Sequence, residues 1–313
     1  MPPRKVIFAY RPGQQNMGGK TMRVDQLSAM AADLLGAGYS VETAVAPRER
    51  QPRACRRFVS KCKGAIIIFH KGAATALGPD NRARLRKVAA GICVDHLDIV
   101  APPFEYGFVD IHIAASIAGE RELIRGLDSL DPAPGTQVRH LPHHADPRLR
   151  KPGTPSRHFA LGYFGLPGNA VLPQGDAIPA MMPDYRGSGP VSEDFLSQMA
   201  QANFHICTRA PSTRRNKGIL ATKPFTKGFN AAAVEANVLV NRQVHDAEYY
   251  LEEDYPYMIA DCSQAAISDG IARAAADFGG PAWSKARAAM DRMARRVAPP
   301  AVVAELEKIC RLF

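Results

Sequence analysis

The chain has 313 residues, of which 46% are hydrophobic and 22% charged, a composition typical of a globular protein long enough for two cores. No apolar run approaches the ~20 residues that a membrane-spanning helix requires, and the apolar run in residues 1–14 is too short for a signal peptide. The six cysteines form no CxxC pair, which speaks against zinc binding and disulfide bonding and favours a reducing cytoplasm.

The positive charge of the chain is concentrated in one segment. The net charge is +10, and residues 47–63 contribute seven Lys or Arg against one Glu. Such a segment would attract nucleic acid, an anionic membrane surface or a phosphorylated substrate, or it would form the solvated helix face of a basic protein. Aromatic residues hardly interleave with these charges, so nucleic acid is the least favoured partner.

The first half of the chain alternates strands and helices. Residues 64–70 (GAIIIFH) form an apolar run without polar alternation, which is typical of parallel strands covered on both faces. The pattern predicts strands over 5–10, 40–46, 64–70, 91–98, 108–116 and 136–144, and helices over 22–39, the basic segment, 81–91 and 119–130. This order predicts an open, doubly wound α/β sheet.

A second alternation follows residues 144–158, a stretch rich in Pro and Arg that we interpret as an interdomain linker. Strands are predicted over 158–165, 204–209, 237–242 and 255–261, and helices over 192–203, 224–236, 263–278 and 284–297, before a closing segment 302–313. We therefore predict two Rossmann-like domains, 1–150 and 151–290, facing each other across a cleft. Residues 291–313 would be C-terminal helices that pack back on the N-terminal domain.

The segment RPGQQNMGGKT, residues 11–21, is similar to a phosphate-binding P-loop between a strand and a helix. The pattern G-x-x-x-x-G-K-[ST], ending on Gly19 and the two residues after it, requires a glycine at position 14, where the chain has Gln14. The segment is therefore either a glycine-rich loop for another phosphate chemistry or an ordinary strand–helix turn. In the first case Gly18 and Gly19 would allow a close backbone approach, and Lys20 would add charge.

The most informative basic cluster surrounds the start of the predicted helix 224–236. Lys223 precedes Pro224, a residue suited to a first helical turn. Thr226 and the exposed amides of that turn can accept an anion, and Lys223 and Lys227 are four residues apart, as a diphosphate requires. The cluster also contains Arg214, Arg215 and Lys217. An ordinary basic entry into a surface helix would show the same spacing.

Residues 213–242 resemble the donor-binding element of GT-B glycosyltransferases, in which a KP-x-x-K run precedes a helix of small residues and an apolar strand. The matching residues are Lys223, Pro224, Lys227, the helix 229–236 and the strand 238–240. The resemblance implies a nucleotide-sugar donor, with no cofactor, bound by Arg209, Arg215, Lys217, Lys223, Thr226, Lys227 and Asn230. Thr222 and Asn230 occupy the positions of two acidic residues in retaining families, and neither is acidic here.

In its layout the resemblance covers nearly the whole chain, and it implies an N-terminal acceptor-side domain and a C-terminal donor domain. It implies that a loop of Gly18, Gly19 and Lys20 approaches the acceptor and the donor phosphates. GT-B enzymes generally use Lys, Arg and helix amides instead of a bound metal, and we find no convincing D-x-D pair, so we predict metal-independent transfer. At the end of the strand 91–98, Asp95 or His96 would act as the catalytic base or contact the sugar; polar caps of a strand end are the alternative.

These observations predict a cytoplasmic glycosyltransferase that moves a sugar from a nucleotide-sugar to a glycan, glycolipid or other acceptor. The basic segment 47–63 would bring it into peripheral contact with the inner, anionic face of the membrane. A sugar-nucleotide epimerase or hydrolase on the same fold is an alternative, although the predicted cleft has few carboxylates. A non-catalytic two-domain protein that binds nucleic acid or a small anion, or a member that kept the fold and lost catalysis, are the others.

Overall fold

The computed structural model describes residues 2–15, 17–98, 108–129, 135–150, 156–167, 170–173, 181–183, 191–210 and 222–313. Contacts divide the chain into two compact units. The first unit comprises Met1–His143, Gly218–Pro224 and Pro299–Phe313, and the second unit comprises His144–Lys217 and Phe225–Ala298. The predicted domain boundary after residue 150 stays a prediction, because contact clustering does not test independent folding.

The first unit contains a parallel sheet of six strands in the order β2-β1-β3-β4-β5-β6. The strands are β1 (Arg4–Tyr10), β2 (Tyr39–Val45), β3 (Ala65–His70), β4 (Gly91–Asp95), β5 (Ile111–Ala114) and β6 (Gln137–His140). Every residue of β3 and β4 is buried, as the apolar runs predicted. The chain leaves β1 toward β2 and then returns to β3 on the other side of β1, so the topology reverses between β1 and β3.

Helices cover both faces of this sheet. They are α1 (Gly18–Lys20), a π-helical stretch (Thr21–Gln26), α2 (Leu27–Leu34), α3 (Pro52–Lys61), two 3-10 turns (Lys71–Ala73 and Thr75–Leu77), α4 (Pro79–Val88) and α5 (Ile117–Asp128). Successive side chains of β1 point to opposite faces. Val6 and Phe8 therefore pack in one apolar cluster with α2, while Ile7 packs in another with α3 and α4.

The second unit contains a smaller parallel sheet in the order β10-β9-β8-β7. Its strands are β7 (Leu161–Gly162), β8 (Phe204–Ile206), β9 (Asn237–Asn241) and β10 (Met258–Ile259), and its helices are a 3-10 turn (Pro147–Arg150), α6 (Glu193–Gln201), α7 (Thr226–Ala233), α8 (Ala247–Leu251), α9 (Gln264–Ala276) and α10 (Pro281–Arg296). β7 is much shorter than the predicted strand 158–165. One large cluster of apolar side chains forms the core of this unit.

The last helix, α11 (Pro299–Cys310), belongs to the first unit although the preceding α10 belongs to the second. Val302 and Leu306 are fully buried in the same cluster as β1 and α2. The ring of Phe313 lies over Gly91, where a Cβ would be only 2.3 Å from the ring. The prediction that the C-terminus packs back on the N-terminal sheet is confirmed for α11.

Two further properties bear on the sequence predictions. All six cysteines are free, and five of them are buried. Within the described parts of the chain, no helix combines the length and the apolar character needed to cross a bilayer.

Candidate active site

The strands of the first unit end in ionisable residues at one edge of the sheet, which we call the first carboxyl edge. β3 ends at His70 and β4 at Asp95, and these two residues are paired in the parallel register. The helix that starts at Gly18 follows β1, the other neighbour of β3. Because the topology reverses between β1 and β3, this is the position at which open α/β sheets bind ligands.

Asp95, one of the two predicted catalytic residues, forms a buried ion pair with Arg23. Arg23 Nε lies 2.7 Å from Asp95 Oδ2, and the two side chains are 0% and 2% exposed. Arg23 belongs to the π-helical stretch, a distortion that is frequent at functional sites. Burial alone would raise the pKa of Asp95, but the Arg23 guanidinium outweighs burial and holds this pKa below its ordinary value. The carboxylate therefore stays charged, and its role as a base stays a prediction.

His96, the other predicted catalytic residue, forms a buried pair with His112 of β5. His96 Nε2 lies 2.8 Å from His112 Nδ1, and the two rings stack with their centroids 5.0 Å apart. Burial lowers the pKa of both residues, and a charge on His112 would lower that of His96 further. Both rings are therefore neutral at pH 7, and one donates its hydrogen bond to the other.

His70 adds a third imidazole to the first carboxyl edge. The residue is 2% exposed, and its Nδ1 has no hydrogen-bond partner within the described residues. Burial lowers the pKa of His70 to about 4, so this ring is also neutral at pH 7. A buried polar atom without a partner costs free energy, so Nδ1 offers a position for a polar atom of a ligand.

Gly18, Gly19 and Lys20 do not form the predicted loop but the first helical turn, α1. Neither glycine has a positive φ; space is what Gly19 provides, since a Cβ there would lie 2.7 Å from Leu97 Cδ2 and 3.6 Å from the His70 ring. The charge of Lys20 is used within the unit, because its Nζ lies 2.7 Å from Asp25 and 4.5 Å from the centroid of the Tyr10 ring.

Gln14, which occupies the glycine position of a P-loop, closes the turn before this helix. It is 1% exposed, and its side-chain oxygen accepts a hydrogen bond from the Arg11 backbone amide at 3.0 Å. The backbone of the turn is thus satisfied by a side chain and not by a phosphate. The segment is a strand–helix turn, with Gly19 making room at its end.

In the second unit, Lys227 lies at the end of β7, which we call the second carboxyl edge. Its Nζ lies 4.1 Å from the centroid of the Tyr163 ring. Lys227 also crosses Gly165, where a Cβ would lie 2.8 Å from Lys227 Cε and 3.1 Å from its Nζ. Thr226 is the first residue of α7 and makes no capping hydrogen bond with its side chain. A lysine, a helix N-terminus and a glycine therefore border the same small region.

Two other predicted donor residues of this unit are held by their polar groups. Asn241, fully buried at the end of β9, accepts a hydrogen bond from the Arg209 amide at 2.8 Å and donates to the Arg209 carbonyl at 3.1 Å. This double bond to the backbone fixes Arg209 at the end of β8. The Asn230 side-chain oxygen accepts a hydrogen bond from the Asp146 amide at 2.9 Å, so this oxygen has a structural partner.

The remaining predicted donor residues are not brought together with these. Lys223 belongs to the first unit, where its neighbour Thr222 packs near the start of α5; Thr222 Oγ1 lies 3.0 Å from the place of a Cβ on Gly119. Arg215 and Lys217 lie outside the described residues. No group of three or more His, Cys, Asp or Glu in the described ranges is arranged to hold a metal ion, and metal-independent transfer stays a prediction.

Sequence reasoning missed two residues of these edges. His112 is the partner of His96, and a histidine in an otherwise apolar strand was the available signal. Tyr163 carries Lys227 on its ring and donates a hydrogen bond to the Leu166 carbonyl at 2.9 Å; an aromatic residue before the glycine turn of β7 was the signal there. Neither pairing is visible in the sequence, because the partners are 16 and 64 positions apart in the chain.

Comparison with known proteins shows little at the level of sequence. No family model matches the chain. Polyketide synthase 1 of Metarhizium guizhouense and that of Metarhizium majus are each 27% identical over 165 residues, which are 52% of this chain and 7% of each synthase. The chain thus spans a small fraction of the length of these curated relatives.

Solved structures match the fold over almost the full length. A glycosyltransferase from Rickettsia africae has a TM-score of 0.71 at 9% identity and covers 100% of this chain and 99% of its own. Sucrose-phosphate synthase from Thermosynechococcus elongatus has 0.67 at 13%, covering 99% and 98%, and Anabaena HepE in complex with UDP and glucose has 0.61 at 12%, covering 99% of both. The chain has the fold of GT-B glycosyltransferases, and this prediction is confirmed.

Proposed function

We propose that the protein is a nucleotide-sugar-dependent glycosyltransferase that transfers a hexosyl or related sugar to a hydroxyl of a glycan, glycolipid or other acceptor. The observation that carries the proposal is the position of Lys227, which crosses Gly165 at the second carboxyl edge, within a fold whose solved neighbours include glycosyltransferases. One of these neighbours is described in complex with UDP-glucose.

Lys227 would stabilise the leaving nucleoside diphosphate. When the bond between the anomeric carbon and the diphosphate breaks, negative charge grows on the phosphate oxygens. An ammonium group beside the N-terminal amides of α7 favours that charge. Gly165 presents no side chain, so a phosphate can approach the backbone where Lys227 lies. Arg209, held by Asn241 at the end of β8, would add a second positive charge.

The first carboxyl edge would bind the acceptor. The attacking hydroxyl must lose its proton as its oxygen bonds to the anomeric carbon. His96 and His70 are neutral at pH 7 and can accept a hydrogen bond from this hydroxyl, whereas Asp95 is already paired with Arg23. We therefore favour a histidine over Asp95 as the group that receives the proton. The buried ion pair would act as a positioning element, since His70 and Asp95 are neighbours in the sheet.

The basic helix α3 supports a peripheral contact with anionic lipid on the cytoplasmic side. Its Cys55 and Phe58 are buried, and Arg53, Arg56 and Arg57 are exposed. Exposed arginines on one helix face attract an anionic surface by ~1 kcal/mol each at low salt. This placement would suit an acceptor at the membrane, and it makes membrane contact sensitive to ionic strength.

Thermal stabilisation by a panel of UDP-, GDP-, TDP- and CMP-linked sugars tests the donor site. We expect one donor or its free nucleotide to raise the melting temperature, because a ligand that binds only the folded state stabilises it. Lys227→Ala should weaken that binding roughly tenfold or more, since it removes a charge-assisted contact to the diphosphate.

Lys285→Ala is the matched control, because Lys285 is an exposed lysine of the same unit that is paired with Asp254. Its affinity for the donor should equal that of the unchanged protein. No stabilisation by any donor would refute the proposal, and equal affinities of the Lys227 and Lys285 variants would remove Lys227 from the donor site.

A further inference from the structure

Three arginines of the first unit surround one open cavity beside the first carboxyl edge. The cavity has a volume of about 660 Å³ and is lined by Arg11, Arg48 and Arg50 together with Gly13, Glu49 and Ala76. This volume is in the range of small-molecule sites. The catalytic residues proposed above do not line it, and α3 does not contribute a side chain to it. We call it the arginine pocket.

Parallel strand register brings these arginines together. Tyr10 of β1 is paired with Val45 of β2, so the residues that follow both strands emerge at the same edge of the sheet. Arg11 directly follows β1, and Arg48 and Arg50 follow β2 after two further residues. The amide of Ala46 donates to the Tyr10 carbonyl at 2.7 Å, which keeps the two chain exits side by side.

The backbone beneath the arginines is fixed by hydrogen bonds. The Gln51 amide donates to the Arg48 carbonyl at 2.9 Å and closes a turn, and the Gln51 side-chain oxygen accepts from the Arg48 amide at 3.2 Å. The Glu49 amide donates to the Ala76 carbonyl at 2.8 Å, which joins this turn to the segment after β3. A turn held at three points presents its side chains with little loss of backbone entropy on binding.

The positive charge of the pocket is not neutralised from within. All three arginines are exposed, and none of their guanidinium groups has a carboxylate within 4.0 Å among the described residues. The one acidic lining residue, Glu49, is turned aside: its carboxyl carbon lies 2.1 Å from the place of a Cβ on Gly78. Gly78 precedes α4, and a carboxylate near a helix N-terminus is favoured there.

We infer that the arginine pocket binds a phosphate group of the acceptor, so that the acceptor class is a phosphorylated sugar or a phosphate-bearing lipid. This inference rests on the proposed glycosyl transfer. Guanidinium groups donate paired hydrogen bonds to phosphate oxygens and stay charged at all physiological pH values. Three of them around one open cavity match a dianion better than a neutral glycan does.

The location also fits an acceptor that reaches the proposed catalytic residues. Neighbouring strands of a sheet lie ~4.8 Å apart, so the end of β2 is about 10 Å from the end of β3, where His70 lies. A phosphate in the arginine pocket would therefore hold an acceptor whose reactive hydroxyl lies about one sugar ring away. The pocket would orient the acceptor and take no part in bond making.

Binding of four probes tests the inference. They are inorganic phosphate, glucose 6-phosphate, glucose, and vesicles of phosphatidylcholine with or without phosphatidylglycerol. We expect the phosphate-bearing probes to bind and glucose to bind much more weakly. The variant Arg11→Gln/Arg48→Gln/Arg50→Gln should bind the phosphate-bearing probes roughly tenfold or more weakly, because several charge-assisted hydrogen bonds are lost.

The control variant is Arg84→Gln/Lys87→Gln/Arg121→Gln, which removes three exposed positive charges of the same unit outside the pocket. It should bind all probes as the unchanged protein does. A loss confined to glucose 6-phosphate identifies a soluble phosphorylated acceptor, and a loss confined to phosphatidylglycerol vesicles identifies a lipid headgroup. Equal binding by the two triple variants for every probe would overturn the inference.

Donor stabilisation is measured on the same two variants. We expect it to be unchanged in both, because the arginines belong to the first unit and the proposed donor residues that carry the site belong to the second. If donors bind and the phosphate probes do not distinguish the variants, the arginine pocket is refuted and the proposed transfer stands. If no donor binds while the probes do distinguish them, the transfer proposal fails and the pocket remains a phosphate site.

Discussion

The two carboxyl edges of this protein use charged side chains in opposite ways. At the first edge, Arg23 and Asp95 are almost completely buried and neutralise each other. At the second edge, Lys227 is only partly buried, and its ammonium group lies on an aromatic ring beside a glycine. Buried charges that are paired internally position a site, whereas a cation beside an open glycine can meet a ligand. The comparison assigns positioning to the first pair and ligand contact to Lys227.

The histidines sharpen the same contrast. The first edge carries His70, His96 and His112, whose pKa values are all lowered by burial. Such rings hold or receive a proton without carrying charge at pH 7. The second unit contains His205, whose pKa is lowered to about 4 by burial, but its Nε2 is bonded to the Met199 carbonyl at 3.1 Å. That ring has a structural role in the core and does not face a ligand.

Removal of the Asp95 charge should have the largest effect on stability. Asp95→Asn keeps the size of the side chain but leaves the Arg23 guanidinium buried without its counter-ion, and we expect a loss of about 3–5 kcal/mol in the free energy of unfolding. Urea denaturation measures this loss. Asp98→Asn is the control, because Asp98 and Lys71 form a partly exposed pair with side chains 27% and 19% exposed and should contribute about 1 kcal/mol or less. Equal losses in the two variants would show that Arg23 is solvated when Asp95 is neutral.

Acidification should destabilise the fold through its buried histidines. The pKa of His70 is about 4 in the folded protein and ~6.5 in the unfolded chain, so the unfolded state binds more protons between these values. The stabilising contribution is complete above pH ~6.5 and is lost as the pH falls toward ~4, and we expect a loss of roughly 1–3 kcal/mol for each such histidine.

Unfolding free energies at about pH 7.5 and about pH 5 measure this dependence. His70→Gln should flatten it, because a glutamine does not titrate. His158→Gln removes an exposed histidine and should leave the dependence unchanged. A pH dependence that is identical in both variants would contradict the burial of His70.

A methyl group at Gly165 should affect the ligand more than the fold. In Gly165→Ala the new Cβ would lie 2.8 Å from Lys227 Cε and 3.0 Å from Tyr163 Oη, so the lysine must move away from the position that we assign to the diphosphate. We expect roughly three- to tenfold weaker donor binding and a stability change below about 1 kcal/mol, because the end of a lysine side chain moves easily.

Gly38→Ala is the control for this substitution, since no atom lies within 4 Å of its Cβ position and Gly38 has no positive φ. Donor titrations and thermal melts of both variants are the measurements. A large stability loss in Gly165→Ala with unchanged donor affinity would move Gly165 from the ligand site to the core.

The sequence predicted the fold class well because its signals are local. The apolar run of β3 and the alternation of strands with helices indicate a parallel α/β sheet without any knowledge of contacts. The site was predicted less completely. Asp95 and His96 were found because polar residues at the end of an apolar strand stand out in the sequence. The partners Arg23 and His112, 72 and 16 positions away, are decided by strand order.

Three predicted features were changed by the tertiary structure. Gly18 and Gly19 looked like a loop because glycines are typical of loops, but they open a helix in which Gly19 makes room for Leu97. Lys223 and Lys227 looked like one pair because they are four residues apart, but the chain passes from the first unit to the second between them. Periodicity in the sequence does not reveal such a crossing.

The sequence by itself determined where the strands and helices lie, how the C-terminal helix is amphipathic, and where positive charge accumulates, because each of these depends on residues close together in the chain. Only the tertiary structure decided which charges are neutralised and which are available. Arg23 lost its availability to Asp95 through burial, whereas Arg11, Arg48 and Arg50 were brought around one cavity by the parallel register of β1 and β2. Electrostatic interactions depend on distance and burial, and the fold sets both.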